Sequence, residues 1–144
     1  MIGGDTGEGR MSAVYNELNE ALVGFISELG LKRGYVDPAL KDFVQHWPAQ
    51  IVTPFDRAQV DEHEFCVTRA AFGIDESGTL VLSEARTSSR LAALAPWTHI
   101  AVLDRALILP TIPDAIARLG SDRATVFVTG PSKTADVEGI LIKG

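Results

Sequence analysis

The sequence predicts an α/β fold, a largely parallel sheet flanked by helices, and three observations carry that expectation. Short β-branched runs such as Val126-Phe127-Val128 recur through the second half. Segments with helical spacing and capping residues separate them, which is the alternation of crossover-connected strands. At 144 residues and 46% hydrophobic content, one domain has enough apolar side chain to bury a real core.

In chain order, "MIGGDTGEGR" is Gly-rich, polar and aperiodic, so residues 1–10 are expected to be a disordered lead-in. One α/β domain is expected over 11–144. From Met11, Val14, Leu18, Leu22, Phe25 and Leu29 form one stripe of an amphipathic helix. Ser12 suits its N-cap and Gly30 its C-terminal stop. Asp37 and Pro38 then open a short helix that carries Leu40, Phe43, Val44 and Trp47 on one side. Pro48 and Pro54 bracket a short apolar piece, and the acidic cluster Asp61 to Glu64 is expected at the surface.

Two apolar stretches in "FCVTRAAFGIDESGTLVLSEA" flank Asp75-Glu76-Ser77-Gly78, a tight connection with glycine supplying positive φ. "RTSSRLAAL" reads as a helix capped by Thr87 or Ser88, and "HIAVLD" and "ALIL" follow as apolar runs. "TIPDAIARLG" is a helix with Ile112, Ile116 and Leu119 in line and Gly120 at its stop. "ATVFVTG" is a strand, and "SKTADVEGILIKG" is expected to begin another helix. A final strand would complete the sheet, so the chain is expected to continue past Gly144.

Charge and cysteine content narrow the chemistry. Residues 1–64 hold 5 basic and 11 acidic side chains, whereas 65–144 hold 8 of each. An acidic half repels a phosphate backbone, so nucleic acid is not an expected partner. The single cysteine, Cys66, rules out an internal disulfide and a four-cysteine metal site within this chain, and no resident cofactor is expected. His63 and Cys66 form an H-x-x-C pair, too few ligands for a metal, and Cys66 reads as buried and apolar. No apolar run approaches a membrane span and no signal layout opens the chain, so the cytoplasm is the expected location.

Three places could carry function. At "TVFVTGPSKTADVEG" a strand ends in Thr129-Gly130-Pro131, followed by Ser132, Lys133 and Thr134. A helix N-terminus there would offer free N–H groups, two hydroxyls and an ammonium to a small carboxylate or phosphate. The alternative is that Ser132 or Thr134 merely caps the helix, while Asp136 and Glu138 complement its dipole. The phosphate-loop pattern is not met, because only Pro131 and Ser132 separate Gly130 from Lys133. At "DESGT", Asp75 or Glu76 could serve as acid, base or nucleophile, or the segment could be an ordinary turn. Arg86 and Arg90, four apart, could clamp an anion or form a solvated face.

Taken together, "FGIDESGTLVL", "LAPWTHIAVLD" and "VFVTGPSKTADVEGILIKG" resemble the LUD domain, the lactate utilisation protein C family. The resemblance covers Phe65 to Gly144; the first half matches only in layout and looks short between Trp47 and Glu62. It implies a fold like that of the phosphosugar-isomerase and CoA-transferase superfamily. It also implies a non-redox subunit of a cytoplasmic system that oxidises L-lactate to pyruvate, with iron–sulfur proteins as partners. The signature positions are Thr129, Gly130, Pro131, Ser132, Lys133, Thr134, Ala135, Asp136 and Glu138, with Gly78 and Thr79; Gly78, Thr79, Thr129, Gly130, Ser132, Lys133, Thr134 and Asp136 are the expected ligand-binding set. A different reading is a free-standing enzyme of that superfamily acting on a phosphosugar or acyl-CoA, with Glu76 as nucleophile or base. A purely structural module is the third.

Overall fold

The computed structural model describes residues 7–44, 46–83, 85–121, 124–130, 133–135 and 141–143. The chain gathers into two compact units, Met1–Thr68 with Leu91–Ile100, and Arg69–Arg90 with Ala101–Gly144. The expected α/β arrangement with a parallel sheet is present. A second, mixed sheet accompanies it.

In the first unit, helix α1 spans Gly7–Glu28, so it begins before Met11 and places Ser12 inside the helix rather than at its cap. Residues 1–6 of the expected lead-in lie outside the described residues. The helix stops as expected: Gly30 takes φ +64°, Leu31 N donates to Ile26 O and Gly30 N to Ser27 O, the paired bonds of a Schellman ending. Its buried face differs from the expected stripe. Leu22 and Ile26 point inward, while Phe25 and Leu29 are about half exposed.

Strand β1 (Arg33–Val36) lies parallel to β2 (Gln50–Val52) on one side and to β3 (Phe65–Arg69) on the other. Asp37 accepts from Ala39 N at 2.9 Å and caps Pro38–Phe43, a 3-10 rather than an α-helical turn. A second 3-10 turn, Arg57–Glu62, follows β2, so the stretch between Trp47 and Glu62 holds a strand and a turn. Gly34 faces Phe65 across the pair, and a Cβ there would fall 2.5 Å from three ring carbons. Only glycine admits that approach. Tyr35 and Cys66 pack with Ala92 and Phe55, and the Tyr35 and Phe55 rings meet edge to face at 5.3 Å.

The second unit holds β4 (Phe72–Ile74) and β5 (Thr79–Ser83), joined by the expected tight turn with Gly78 at φ +59°. Helix α2 (Arg90–Leu94) is shorter than expected, and Thr87 does not cap it: its hydroxyl donates to Arg69 O. Strand β6 (Thr98–Val102), whose residues up to Ile100 belong to the first unit, lies beside β3 in the order β2-β1-β3-β6. Strand β7 (Ile108–Leu109) pairs parallel with β4, and helix α3 (Ile112–Leu119) follows, capped by Thr111 and closed by Gly120 at φ +56°. Strand β8 (Thr125–Thr129) pairs antiparallel with β5, giving the order β7-β4-β5-β8.

The core of this unit is Ala71, Phe72, Ile74, Val81 and Ala115, with Leu107, Leu109 and Leu119 against it. Ala115 and Leu119, not the Ile112–Ile116 ridge, face the sheet; Ile116 is 60% exposed. Where the stretch expected as a final helix from Ser132 is described, it forms strands; residues 136–140 lie outside the described residues. Lys133–Ala135 (β9) and Leu141–Lys143 (β10) pair as antiparallel strands, with Thr134 opposite Ile142. The β-branched Thr134 and Ile142 suit paired strands. No helix among the described residues is long and apolar enough to cross a membrane.

Candidate functional site

The antiparallel register of β5 and β8 sets Thr79 opposite Thr129, fifty residues on. Cross-strand partners share a face, and faces alternate with every residue. Ile74, Thr79 and Thr129 therefore form one row, and Phe72, Val81 and Phe127 form the next on the same side. Val81 and Ala115 belong to one core cluster, so this is the side on which α3 packs. Phe127 is 46% exposed at the far strand of that row.

At the end of the rows three hydroxyls form a chain. Ser77 Oγ and Thr79 Oγ1 are 2.8 Å apart, and Thr79 Oγ1 and Thr129 Oγ1 are 3.0 Å apart. Thr79 is buried, Ser77 half-buried and Thr129 exposed. Each hydroxyl carries one hydrogen, and two of the three are spent inside the chain. One donor is therefore left over, on Ser77, Thr79 or Thr129 according to the directions of the two bonds. Such a chain binds and orients a polar group. Among the described residues no imidazole or carboxylate is bonded to it, and a hydroxyl without such a base is a weak nucleophile.

The other expected positions divide. Gly78 forms the turn before Thr79, and Gly130 follows Thr129 with open space where a Cβ would stand. Lys133 and Thr134 lie on β9, so the first-turn amides of a helix are not on offer there. Ser132 and Asp136 lie outside the described residues. Glu76 is occupied: its Oε1 accepts from Ile112 N at 2.6 Å, at the start of α3. The rest of that helix start is satisfied too, with Asp114 N on Thr111 Oγ1, Ala115 N on Thr111 O, and Pro113 without a donor. An anion finds no free amide at α3. Arg90 donates through Nη1 to Ala124 O, whereas Arg86 is exposed, so the pair is not a clamp.

Two histidines of the first unit carry more than the sequence suggested. His63, expected at the surface with its acidic neighbours, is 4% exposed. The available signal was its parity with Phe65, which puts both on one side of an extended segment. Burial pushes its imidazole below the ordinary value, and the Arg33 charge pushes the same way against Glu62 and Asp56. His99 Nε2 meets Thr68 Oγ1 at 2.9 Å, and burial lowers its pKa also. Thr68 is fully buried and out of reach of a substrate. Cys66 is buried as expected, its thiol pushed up to about 12, chiefly by burial.

A family model, that of the LUD domain, matches residues 11–144. Lactate utilization protein C of Oceanobacillus iheyensis is 27% identical over 124 residues, covering 76% of this chain and 52% of that protein. The protein of the same name from Bacillus licheniformis is 31% identical over 115 residues, 68% of this chain and 48% of that one. That from Macrococcus caseolyticus is 28% identical over 146 residues, 90% of this chain and 63% of that one. The chain spans about half the length of the curated relatives it matches first. A crystal structure of a DUF162 family protein from Deinococcus radiodurans is similar at a TM-score of 0.49 and 18% identity, covering 81% of this chain and 87% of that one.

Proposed function

This chain belongs to the LUD domain family, and we propose that it works in lactate utilisation as a non-redox part of a cytoplasmic system that oxidises L-lactate to pyruvate. The electrons would pass to iron–sulfur partner proteins; one cysteine cannot supply the thiolates of a four-cysteine cluster. In this reading the Ser77–Thr79–Thr129 corner holds a small carboxylate or a polar group of a partner.

One observation carries the assignment of the corner. The two blocks that give the second half its family resemblance, Gly78-Thr79 and Thr129-Gly130, meet at adjacent strand ends and share a hydrogen bond. A pair that served only to end two strands would not need the third hydroxyl, Ser77, bonded to the same atom. The similarity to proteins named for lactate utilisation supports the pathway.

The test is an anaerobic affinity purification from the native cytoplasm, followed by lactate-dependent dye reduction on the retained proteins. Co-purified iron–sulfur proteins with that activity are expected, and Thr129→Val is expected to lower the activity without releasing the partners. Lactate-dependent reduction by the isolated chain, or an inactive protein with nothing retained, contradicts the proposal.

A further inference from the structure

The hydroxyl corner leaves one block of the second half unused, "LAPWTHIAVLD", which places His99 on β6. His99 Nε2 lies 2.9 Å from Thr68 Oγ1, and both residues belong to the first unit. Thr68 is 0% exposed on β3 and has the parity of Cys66, whose side of the sheet carries Tyr35, Phe55 and Ala92. Among the described residues its hydroxyl meets no other partner, and water does not reach it. Its single hydrogen therefore has one acceptor, His99 Nε2. A nitrogen that accepts does not carry the proton of a neutral imidazole, so that proton sits on Nδ1. The opposite tautomer would leave a buried O–H unpaired.

The second ring nitrogen is in a different situation. Among the described residues, the buried side-chain nitrogens and oxygens without a partner are Arg33 Nε and both nitrogens of His63. His99 Nδ1 is not one of them and is bonded to none of the described residues, so it reaches solvent from a half-buried ring. Burial alone holds this imidazole below its ordinary pKa, with no charged group contributing. The ring is thus mostly neutral at pH 7.

We propose that Thr68 positions His99 as a neutral Nδ1–H donor to the carbonyl oxygen of a small uncharged ligand. A histidine that only meets water needs no fixed tautomer, and a hydroxyl placed in the interior to fix one decides which atom faces outward. Here that atom is a donor. One neutral N–H, with no charged group acting on the ring, matches one uncharged acceptor. A carboxylate would give up its hydration without a cation to offset the loss. Thr68 itself does not touch the ligand; it acts through the ring.

The inference does not depend on the lactate reading, since it concerns one ring and an uncharged probe. In the full chain with isotope-labelled imidazole nitrogens, NMR at mildly alkaline pH reads which nitrogen of His99 carries the proton, and pyruvamide and acetate are then titrated. Nδ1–H is expected over Nε2–H by about tenfold or more, the ratio that a stranded buried hydroxyl imposes. Pyruvamide should move the Nδ1–H signal saturably, with acetate at least about tenfold weaker. Thr68→Val keeps the shape and removes the hydroxyl; it should release the ring to a mixture of tautomers and weaken pyruvamide by about tenfold. Thr68→Ser should retain both properties. An Nε2–H ring in the parent chain overturns the proposal, as does the absence of a saturable shift with pyruvamide. Acetate binding as tightly does so too, and so does a valine variant with the parent's tautomer and affinity. Where that variant does not fold, the parent-chain readings decide.

Discussion

Replacing Thr79 by valine isolates the hydroxyl corner from everything around it. Valine keeps the shape, the branching at Cβ and the preference for a strand, and changes one hydroxyl into a methyl. Two hydrogen bonds disappear, at 2.8 Å to Ser77 and 3.0 Å to Thr129. Ser77 is half-buried and Thr129 exposed, so both remaining hydroxyls can turn to water. Each lost bond then counts at its net value of about 1 kcal/mol rather than at the larger cost of a stranded polar group. The new methyl sits at a position only 6% exposed and returns about 0.8 kcal/mol through burial. The expected loss is about 1 kcal/mol. With a urea slope of about 2 kcal/mol per molar, the unfolding midpoint should fall by about 0.5 M at constant slope. Thr129→Val alone should cost about 0.5 kcal/mol, and the double variant should lose less than the sum, by about 0.5 kcal/mol or more. Strict additivity, or a Thr79→Val variant as stable as the parent, would show that the hydroxyls do not act as a chain.

Gly34→Ala should destabilise the first unit by about 1–3 kcal/mol in the same urea assay, because its Cβ would meet a fully buried Phe65 ring at 2.5 Å; Phe65→Leu in that background should recover part of the loss. His63 and His99 both have imidazole pKa values held below the ordinary 6.5, His63 by burial and then by Arg33, His99 by burial. As pH falls through about 6.5 the unfolded chain takes up protons that the folded chain refuses, so stability is full above that pH. It should decline below it, by at most about 1.4 kcal/mol per pH unit for each histidine. Urea midpoints from pH 8 to 5 check the sign, and His63→Phe should flatten the decline. The Cys66 thiol, pushed up to about 12, should react with a thiol reagent at neutral pH only as fast as the protein opens; a rapid reaction in the native state refutes the burial argument.

Much of the chain's punctuation was legible in its residues, because the interactions that set it span only a few positions. Gly30, Gly78 and Gly120 all take the positive φ that their turns require. Asp37 caps the segment that Pro38 opens, and the burial of Cys66 followed from an apolar neighbourhood. The α/β expectation, read from the second half, is met by a parallel sheet whose β1 and β2 lie in the first half, while the second-half strands β4, β5 and β8 pair antiparallel.

What depended on distant partners was decided only by the tertiary structure. Periodicity shows that α1 and α3 are amphipathic, but which ridge lies inward depends on the sheet and turns they meet. Leu22 and Leu119 of the expected rows lie inward, but Ile26 and Ala115 accompany them while Phe25, Leu29, Ile112 and Ile116 are exposed. Lys133–Ala135 could satisfy its backbone as helix or as strand, and pairing of Thr134 with Ile142 chose the strand. Thr79 and Thr129 were each marked by the sequence, yet their contact arises from a strand register fixed by Val81 and the core beneath it. His63 is the clearest case. Its acidic neighbours argued for the surface, but the ring is buried against Phe55, while Glu62 pairs with Arg33 from a strand thirty residues earlier. Local chemistry sets where the chain turns, and long-range packing sets which side chains then face one another.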